Sequence, residues 1–443
     1  MLFTRRQIVA LLIPLILEQI LSGIMGIADT MMVTGVGESA ISAVALVDSI
    51  NTLVLNLLSA LAAGGVIVCA QYLGRHETEN ANTAARQVLL VSVGVGLVLA
   101  VFCLVFRSQL LHLIFGSAEP IVLEQAEDYF LYTALSYPFL ALQQTSAAIF
   151  RSDGHATQPM VVVACSDVFD ICANAVMIYG MSMGVVGASL STLIARVISS
   201  FVLMGMLRSR KLNISIRDYR KIRPNRAMIG MVLKVGIPTG VENSMFQLGK
   251  LVVQSTVSTL GTAAMAAQAM TQMLDLVAVM PGQAIGIGLL TVAGQCMGAH
   301  RVDEAKHYTK VFCGVSEVSV IVMSAVVCAL TPLITRVSGM SAESSQLTLQ
   351  LIILISIVKC LIWVLAFTMP YGMRAAGDVQ FSATVAAVSM WVFRVGGGLL
   401  LCRVFHFNLI GVWIAWFADW AFRMVIYIWR YRSGKWQEKV VIR

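Results

Sequence analysis

The sequence predicts an all-α integral membrane protein: twelve transmembrane helices in two six-helix bundles related by an internal parallel repeat. Three observations carry this. First, of 443 residues 58% are hydrophobic and 12% are charged, about half the charged share of an average soluble domain. Second, apolar runs of about 20 residues recur along the whole chain. Backbone amides in a bilayer must be bonded within the protein, so such runs are helices and not the ~10-residue alternating strands of a barrel. Third, the first third of the chain returns 224 residues later, ungapped for nearly seventy residues. The pairs are Pro14 with Pro238, Glu18 with Glu242, Gly37 with Gly261, Gly64 with Gly288, Gln71 with Gln295, Gly74 with Gly298 and His76 with His300.

The expected spans are 7–33, 46–72, 87–106, 121–150, 159–180, 185–207, 228–257, 263–297, 310–335, 345–372, 380–402 and 409–430. The first follows Arg5 and Arg6, but it is too long for a cleavable signal and runs past Pro14 with no small-residue cleavage site. Lys and Arg orient the chain, because positive loops stay on the cytoplasmic side. With both termini cytoplasmic, that side collects Arg5, Arg6, Arg75, Arg86 and Arg151, then the run Arg208, Arg210, Lys211, Arg217, Arg220, Lys221, Arg223 and Arg226. It also collects Arg301, Lys306, Lys310, Arg374 and the tail Arg430, Arg432, Lys435, Lys439 and Arg443, leaving outside only Arg107, Arg336 and Arg403. The net charge of +8 is thus a topology signal of a multi-pass cell-membrane protein, not a nucleic-acid footprint. Residues 1–207 form an N-terminal lobe, 208–227 a basic linker and 228–443 a C-terminal lobe. The linker lies against anionic lipid heads or serves a regulatory or partner-binding role. With six spans per lobe the second lobe starts on the same side as the first, so the repeat axis runs along the membrane normal and substrate is expected between the lobes.

Several chemistries are excluded. Nine cysteines, an odd number, lie in apolar spans without a C-x-x-C pair, which suits small buried hydrophobes better than disulfides or metal ligands. The six histidines are scattered, and no G-x-x-x-x-G-K-[ST] loop exists to hold ATP. Uphill transport would draw on an ion gradient or on a separate ATPase subunit.

Function must then be read from ionisable residues inside the spans, where each is costly and persists against a cavity or a partner. On the first span Glu18 lies one turn beyond Pro14. Asp29 lies eleven residues further, which at about 100° per residue returns to nearly the same face, about 16 Å along the axis. Pro14 is a hinge or a static kink, and Pro238 opens the seventh span in the same way. On the fifth span Asp167, Asp170 and Asn174 share one face. Oxygen ligands from these two spans suit a sodium ion or a shared proton; the alternative is a structural pairing, for example with Arg196. The second lobe is more basic, with Lys234, Lys250, Lys359, Arg394 and Arg423 against Glu242, Asp275, Glu317 and Asp419, and Arg394 stands where the first lobe has Asp170. Lys250, Lys359 or Arg394 is positioned to meet an anionic group, with local ion pairs as the alternative.

The stretches "IPLILEQILSGIMGIADTMMVTGVGESAISAVAL", "AQYLGRHETENA", "FRSDGHATQP" and "GVVGASLSTL", and their recurrence in the second half, resemble the multidrug and toxic compound extrusion family of secondary transporters over essentially the whole chain. The resemblance implies a V-shaped pair of six-helix bundles that exports organic, often cationic, compounds in exchange for sodium ions or protons. It also implies that Asp29, in "IADTMMVTG", takes part in cation coupling and that a bend at Pro14 accompanies it. Similar members carry Asn and then, four residues later, Asp on the fifth helix; here Asp170 precedes Asn174. Other branches place a coupling acid eight residues after the seventh-helix proline, where this chain has Phe246. That role is not carried to Glu242, whose symmetry with Glu18 suggests a gating or substrate-binding acid.

The expectation is therefore a monomeric antiporter, not an enzyme, for small organic compounds among membrane lipids. It takes no cofactor, only Na+ or H+ as coupling ion, bound by Asp29, Asp170 and Asn174, which would also be the ligands of a sodium ion. Pro14, Glu18, Glu242, Lys250 and Arg394 lie on the substrate path or gate it. The rivals are a flippase for a lipid-linked or anionic substrate, a major-facilitator transporter, whose signature after the second span is absent, and a prenyl transferase, whose second acidic motif this chain does not supply beside Asp167 and Asp170.

Overall fold

The computed structural model describes residues 2–116, 119–210, 212–216, 219 and 223–442, without the side chains of Ile27 and Thr30. Lys211, Arg217, Arg220 and Lys221 of the basic linker and Arg443 of the tail lie outside the described residues. The described chain forms α1 (Arg5–Thr34), α2 (Glu38–Gly74), α3 (Thr78–Val105), α4 (Arg107–Phe115), α5 (Pro120–Leu135), α6 (Tyr137–Ser152), α7 (Thr157–Ala175) and α8 (Gly184–Met206). It continues with α9 (Arg226–Ser258), α10 (Thr262–Gly298), α11 (Val302–Val337), α12 (Ala342–Phe367), α13 (Met369–Ala376), α14 (Val379–Ser389), α15 (Gly398–Arg403) and α16 (Asn408–Arg432). Two π-helical turns, Val176–Gly180 and Met390–Gly397, interrupt the fifth and eleventh expected spans.

Ten of the described helical segments are long and apolar enough to cross a membrane. The other two expected spans differ for physical reasons. The fourth is broken at Ser136 into α5 and α6, of 16 residues each; Pro138, two residues on, supplies no backbone N–H, so it opens a new helix more readily than it continues an old one. The seventh is a single helix, α9, whose hydropathy is diluted by Lys234, Glu242, Asn243, Gln247 and Lys250.

The chain divides into two compact units, residues 5–240 and residues 241–443 joined by the N-terminal residues up to Thr4. The division falls inside α9 and not in the 208–227 linker. Hydrogen bonds tie the described linker residues to the first unit: Asn213 Nδ2 donates to Asp153 (2.8 Å), the Ser215 amide to Asn82 (2.7 Å), and Gln87 exchanges bonds with the Arg223 carbonyl and the Asn225 amide (2.9 Å each). The core of the first unit gathers Val47, Leu58, Tyr129, Phe130 and Tyr137; that of the second gathers Leu351, Trp363, Trp413, Trp416 and Trp420. Both units leave apolar side chains exposed, among them Leu97, Val98 and Val101 on α3 and Val318, Ile321 and Val322 on α11, as surfaces facing lipid do.

The repeat is visible bond by bond. α2 and α10 end in the same left-handed cap: His76 and His300 have φ of 61° and 58°, and the amides of Glu77 and Arg301 reach back to the carbonyls of Tyr72 and Cys296. This 6→1 bond satisfies a carbonyl that the helix end would otherwise orphan. The turns after α6 and α13 likewise hold Gly154 at φ 83° and Gly377 at φ 108°. These two equivalent glycines differ in surroundings. Among the described residues a Cβ on Gly154 meets nothing within 4 Å, whereas one on Gly377 falls 2.1 Å from the Lys439 carbonyl oxygen. Gly154→Ala is therefore expected to cost only the left-handed conformation, roughly 1–2 kcal/mol. Gly377→Ala must also displace backbone and is expected to melt clearly lower; equal melting temperatures for the two purified variants would refute the distinction.

Candidate functional site

In the first unit α1 packs against α7, and α7 against α8, which brings the two predicted acidic faces together. Asn174 Nδ2 donates to Asp29 Oδ1 at 3.1 Å, and Ser191 Oγ donates to Asn174 Oδ1 at 2.5 Å. The hydroxyl on α8 thus fixes the amide on α7, which in turn presents its N–H2 to the carboxylate on α1. One turn earlier on α7, Asp170 accepts from Thr192 Oγ1 at 3.2 Å. Asp170 and Asn174 are buried, and Asp29 is half-buried. Asp167, the third acid predicted on this face, lies within electrostatic reach of Asp170, Asp29 and Glu18.

Asp48 on α2 completes the acidic group and was not singled out by the sequence. It accepts from Asn51 Nδ2 at 3.1 Å, Tyr137 Oη in turn donates to Asn51 Oδ1 at 2.8 Å, and Asp48 and Asp29 act on one another. Arg196 is the cation of this region and acts on Asp29, Asp48 and Asp170, but its guanidinium bonds Ser136 at 2.6 Å. Among the described residues no basic group lies within 4.0 Å of Asp29, Asp48, Asp167 or Asp170. Four carboxylates thus share one long-range countercharge. An arrangement of that kind suits a site that takes up a cation. Among the described residues no three His, Cys, Asp or Glu side chains stand close enough to hold a metal ion alone.

Glu18 has a different environment. It is 7% exposed and ion-paired with Arg151, at the end of α6. The second unit repeats this pair: Arg374, at the end of α13, bonds both carboxylate oxygens of Glu242 at 2.8 Å. The two acids noticed for their symmetry are therefore clamps that fix α1 and α9 one turn beyond their prolines.

The rest of the second unit inverts the first. Where α7 carries Asp170 and α8 carries Arg196, the corresponding helices carry Arg394, in the π-helical turn Met390–Gly397, and Asp419 on α16. Asp419 is fully buried and binds Arg394 at 2.9 Å, Arg423 at 2.9 Å and Ser389 at 2.5 Å. Where α2 and α6 hold the neutral pair Asn51–Tyr137, α10 and α12 hold the ion pair Asp275–Lys359, 2.5 Å long. Lys250, exposed on α9, has neither arrangement.

A family model described as MatE matches residues 14–176 and again residues 238–400, so both matches begin at the repeated prolines. An uncharacterized transporter of Bacillus subtilis (strain 168), YisQ, is 27% identical across 96% of this chain and 94% of its own. A probable multidrug resistance protein of Thermotoga maritima, NorM, is 21% identical across 99% and 94%. The fold matches a solved outward-facing multidrug resistance MATE family transporter of the MOP superfamily with a TM-score of 0.91 at 19% identity, covering 98% of this chain and 96% of that one. The two family matches cover well over half of the sequence and coincide with the duplicated bundle; the chain belongs to the MatE family of transporters and is not an enzyme.

Proposed function

We propose that the protein exports organic, cationic or amphipathic compounds across the cell membrane in exchange for sodium ions or protons, with both termini cytoplasmic and with Asp29, Asp170 and Asn174 binding the coupling cation. The observation that supports this most is the clustering of unpaired acids in the first unit. Asp29, Asp48, Asp167 and Asp170 lack an ion-pair partner among the described residues, whereas in the second unit Glu242, Asp275 and Asp419 each have one and Glu317 on α11 lacks one by itself. Paired acids are structural by default; an unpaired cluster across three helices has a place for a mobile cation. The relatives named as multidrug resistance proteins support organic cargo.

A cation shared by Asp29 and Asp170 offsets their repulsion and draws the outer part of α1 toward α7. Glu18 lies between Pro14 and Asp29, so a bend at Pro14, where the helix lacks a backbone hydrogen bond, moves Asp29 only when the Glu18–Arg151 pair releases. A proton needs only the two carboxylates. A sodium ion needs further oxygens, and Asn174 and Thr192 supply them. The test is ethidium movement in proteoliposomes under a sodium gradient and, separately, a pH gradient. One gradient is expected to drive transport and so to name the ion; no movement under either overturns the proposal.

A further inference from the structure

The spans of the second unit bury three cations, Lys359, Arg394 and Arg423, and expose Lys250 on α9. Lys359 is matched by Asp275, and Arg394 and Arg423 share Asp419. Lys250 has no carboxylate within 4.0 Å among the described residues. Nor does its side chain reach outward to the nearer end of α9 at Ser258. The ammonium lies 5.1 Å from the ring centre of Phe246, one turn back toward the start of the helix, the direction helical side chains favour. The guanidinium of Arg394 sits 5.0 Å from the same ring. Arg394 is 2% exposed, and its Nε hydrogen has no acceptor among the described residues. Arg394 and Asp275 are the charged groups that act on Lys250, and Asp275 is already held by Lys359.

Two cations gathered at one aromatic ring repel each other, and cation–π attraction of about 1–2 kcal/mol each does not replace a counter-ion in a bilayer. The missing component is an anion. We infer that Lys250, with Arg394 and Phe246, is a recognition site for an anionic group, a sulfonate, carboxylate or phosphate, carried on an apolar body. The site takes its anion from the exported compound, so the cargo includes anionic or zwitterionic amphiphiles. The identity of the anion as cargo rests on the exporter reading above; the binding does not.

The test is equilibrium binding by isothermal titration to the full chain in phosphatidylcholine nanodiscs, with no gradient, so that loss of binding and loss of coupled export are separate failures. The probe is naphthalene-2-sulfonate, with the uncharged sulfonamide as control. Lys250→Gln is expected to weaken sulfonate binding roughly tenfold or more, and Lys250→Arg to restore it, as charge-assisted bonds require. Lys250 is exposed, so neither change threatens folding. Asp29→Asn should leave this binding intact. Competition by added phosphatidylglycerol in the wild type alone would place a lipid headgroup at the same site and still support anion recognition. Sulfonate binding that is unchanged in Lys250→Gln, or no tighter than sulfonamide binding, overturns it.

Discussion

Asp29→Asn is expected to abolish gradient-driven export, a loss on the order of 100-fold, while the protein folds and melts within a few degrees of wild type. The two halves of this expectation have separate causes. Coupling requires that the cation bind one conformation better than another, since a ligand shifts an equilibrium only by its differential affinity; typical couplings are about 5- to 150-fold. Asparagine keeps the shape and an acceptor for Asn174 Nδ2, which donates to Asp29 at 3.1 Å, but it removes the charge the cation meets. Stability is spared because Asp29 has no ion pair to lose among the described residues. Efflux rates at graded sodium or pH gradients, read beside thermal melting, check both halves. Export by Asp29→Asn with an unchanged dependence on the gradient would end the assignment of this site.

Helix-level features of this chain were legible in the sequence, while contacts between helices were not. Apolar runs and a 224-residue recurrence need only local composition and register, so the spans and the duplication could be read directly. Glu18 with Glu242 and Arg151 with Arg374 each stood out as repeated residues, yet nothing in their spacing says that the acid of each repeat binds its arginine. That fact is set by how α1 meets α6 and how α9 meets α13. Ser191 and Thr192 gave no signal for a related reason. Hydroxyls in helices bond to their own backbone, as both do to the Ala188 carbonyl, and only the approach of α7 gives them Asn174 and Asp170 as well. For Arg394 the sequence leaves a substrate contact and a local ion pair both open; the structure gives it Asp419, because α16 supplies an acid where α8 supplies Ala195. The linker was inferred from its charge, and its attachment to the first unit rests on hydrogen bonds to Gln87, Asn82 and Asp153 that charge does not reveal.

Asp419→Ala is expected to be the most destabilising of these single changes. Arg394 and Arg423 are 2% and 3% exposed, and both depend on this carboxylate, at 2.9 Å each. Its removal strands two guanidinium groups in a core packed by Trp416 and Trp420, where breaking a buried pair costs about 3–5 kcal/mol. For a unit of this size that corresponds to a fall in melting temperature of roughly 10 °C. Arg394→Met should cost much less, because Asp419 keeps Arg423 and Ser389 and the methionine fills apolar space. The double variant should be less harmed than the sum of the two, since one of the stranded cations is then gone. Melting of the three purified variants measures the cycle. Additive losses would mean that Arg394 and Asp419 are not coupled, and the inverted charge pair of the second unit would then be a coincidence of packing with no part in holding Arg394 beside Phe246.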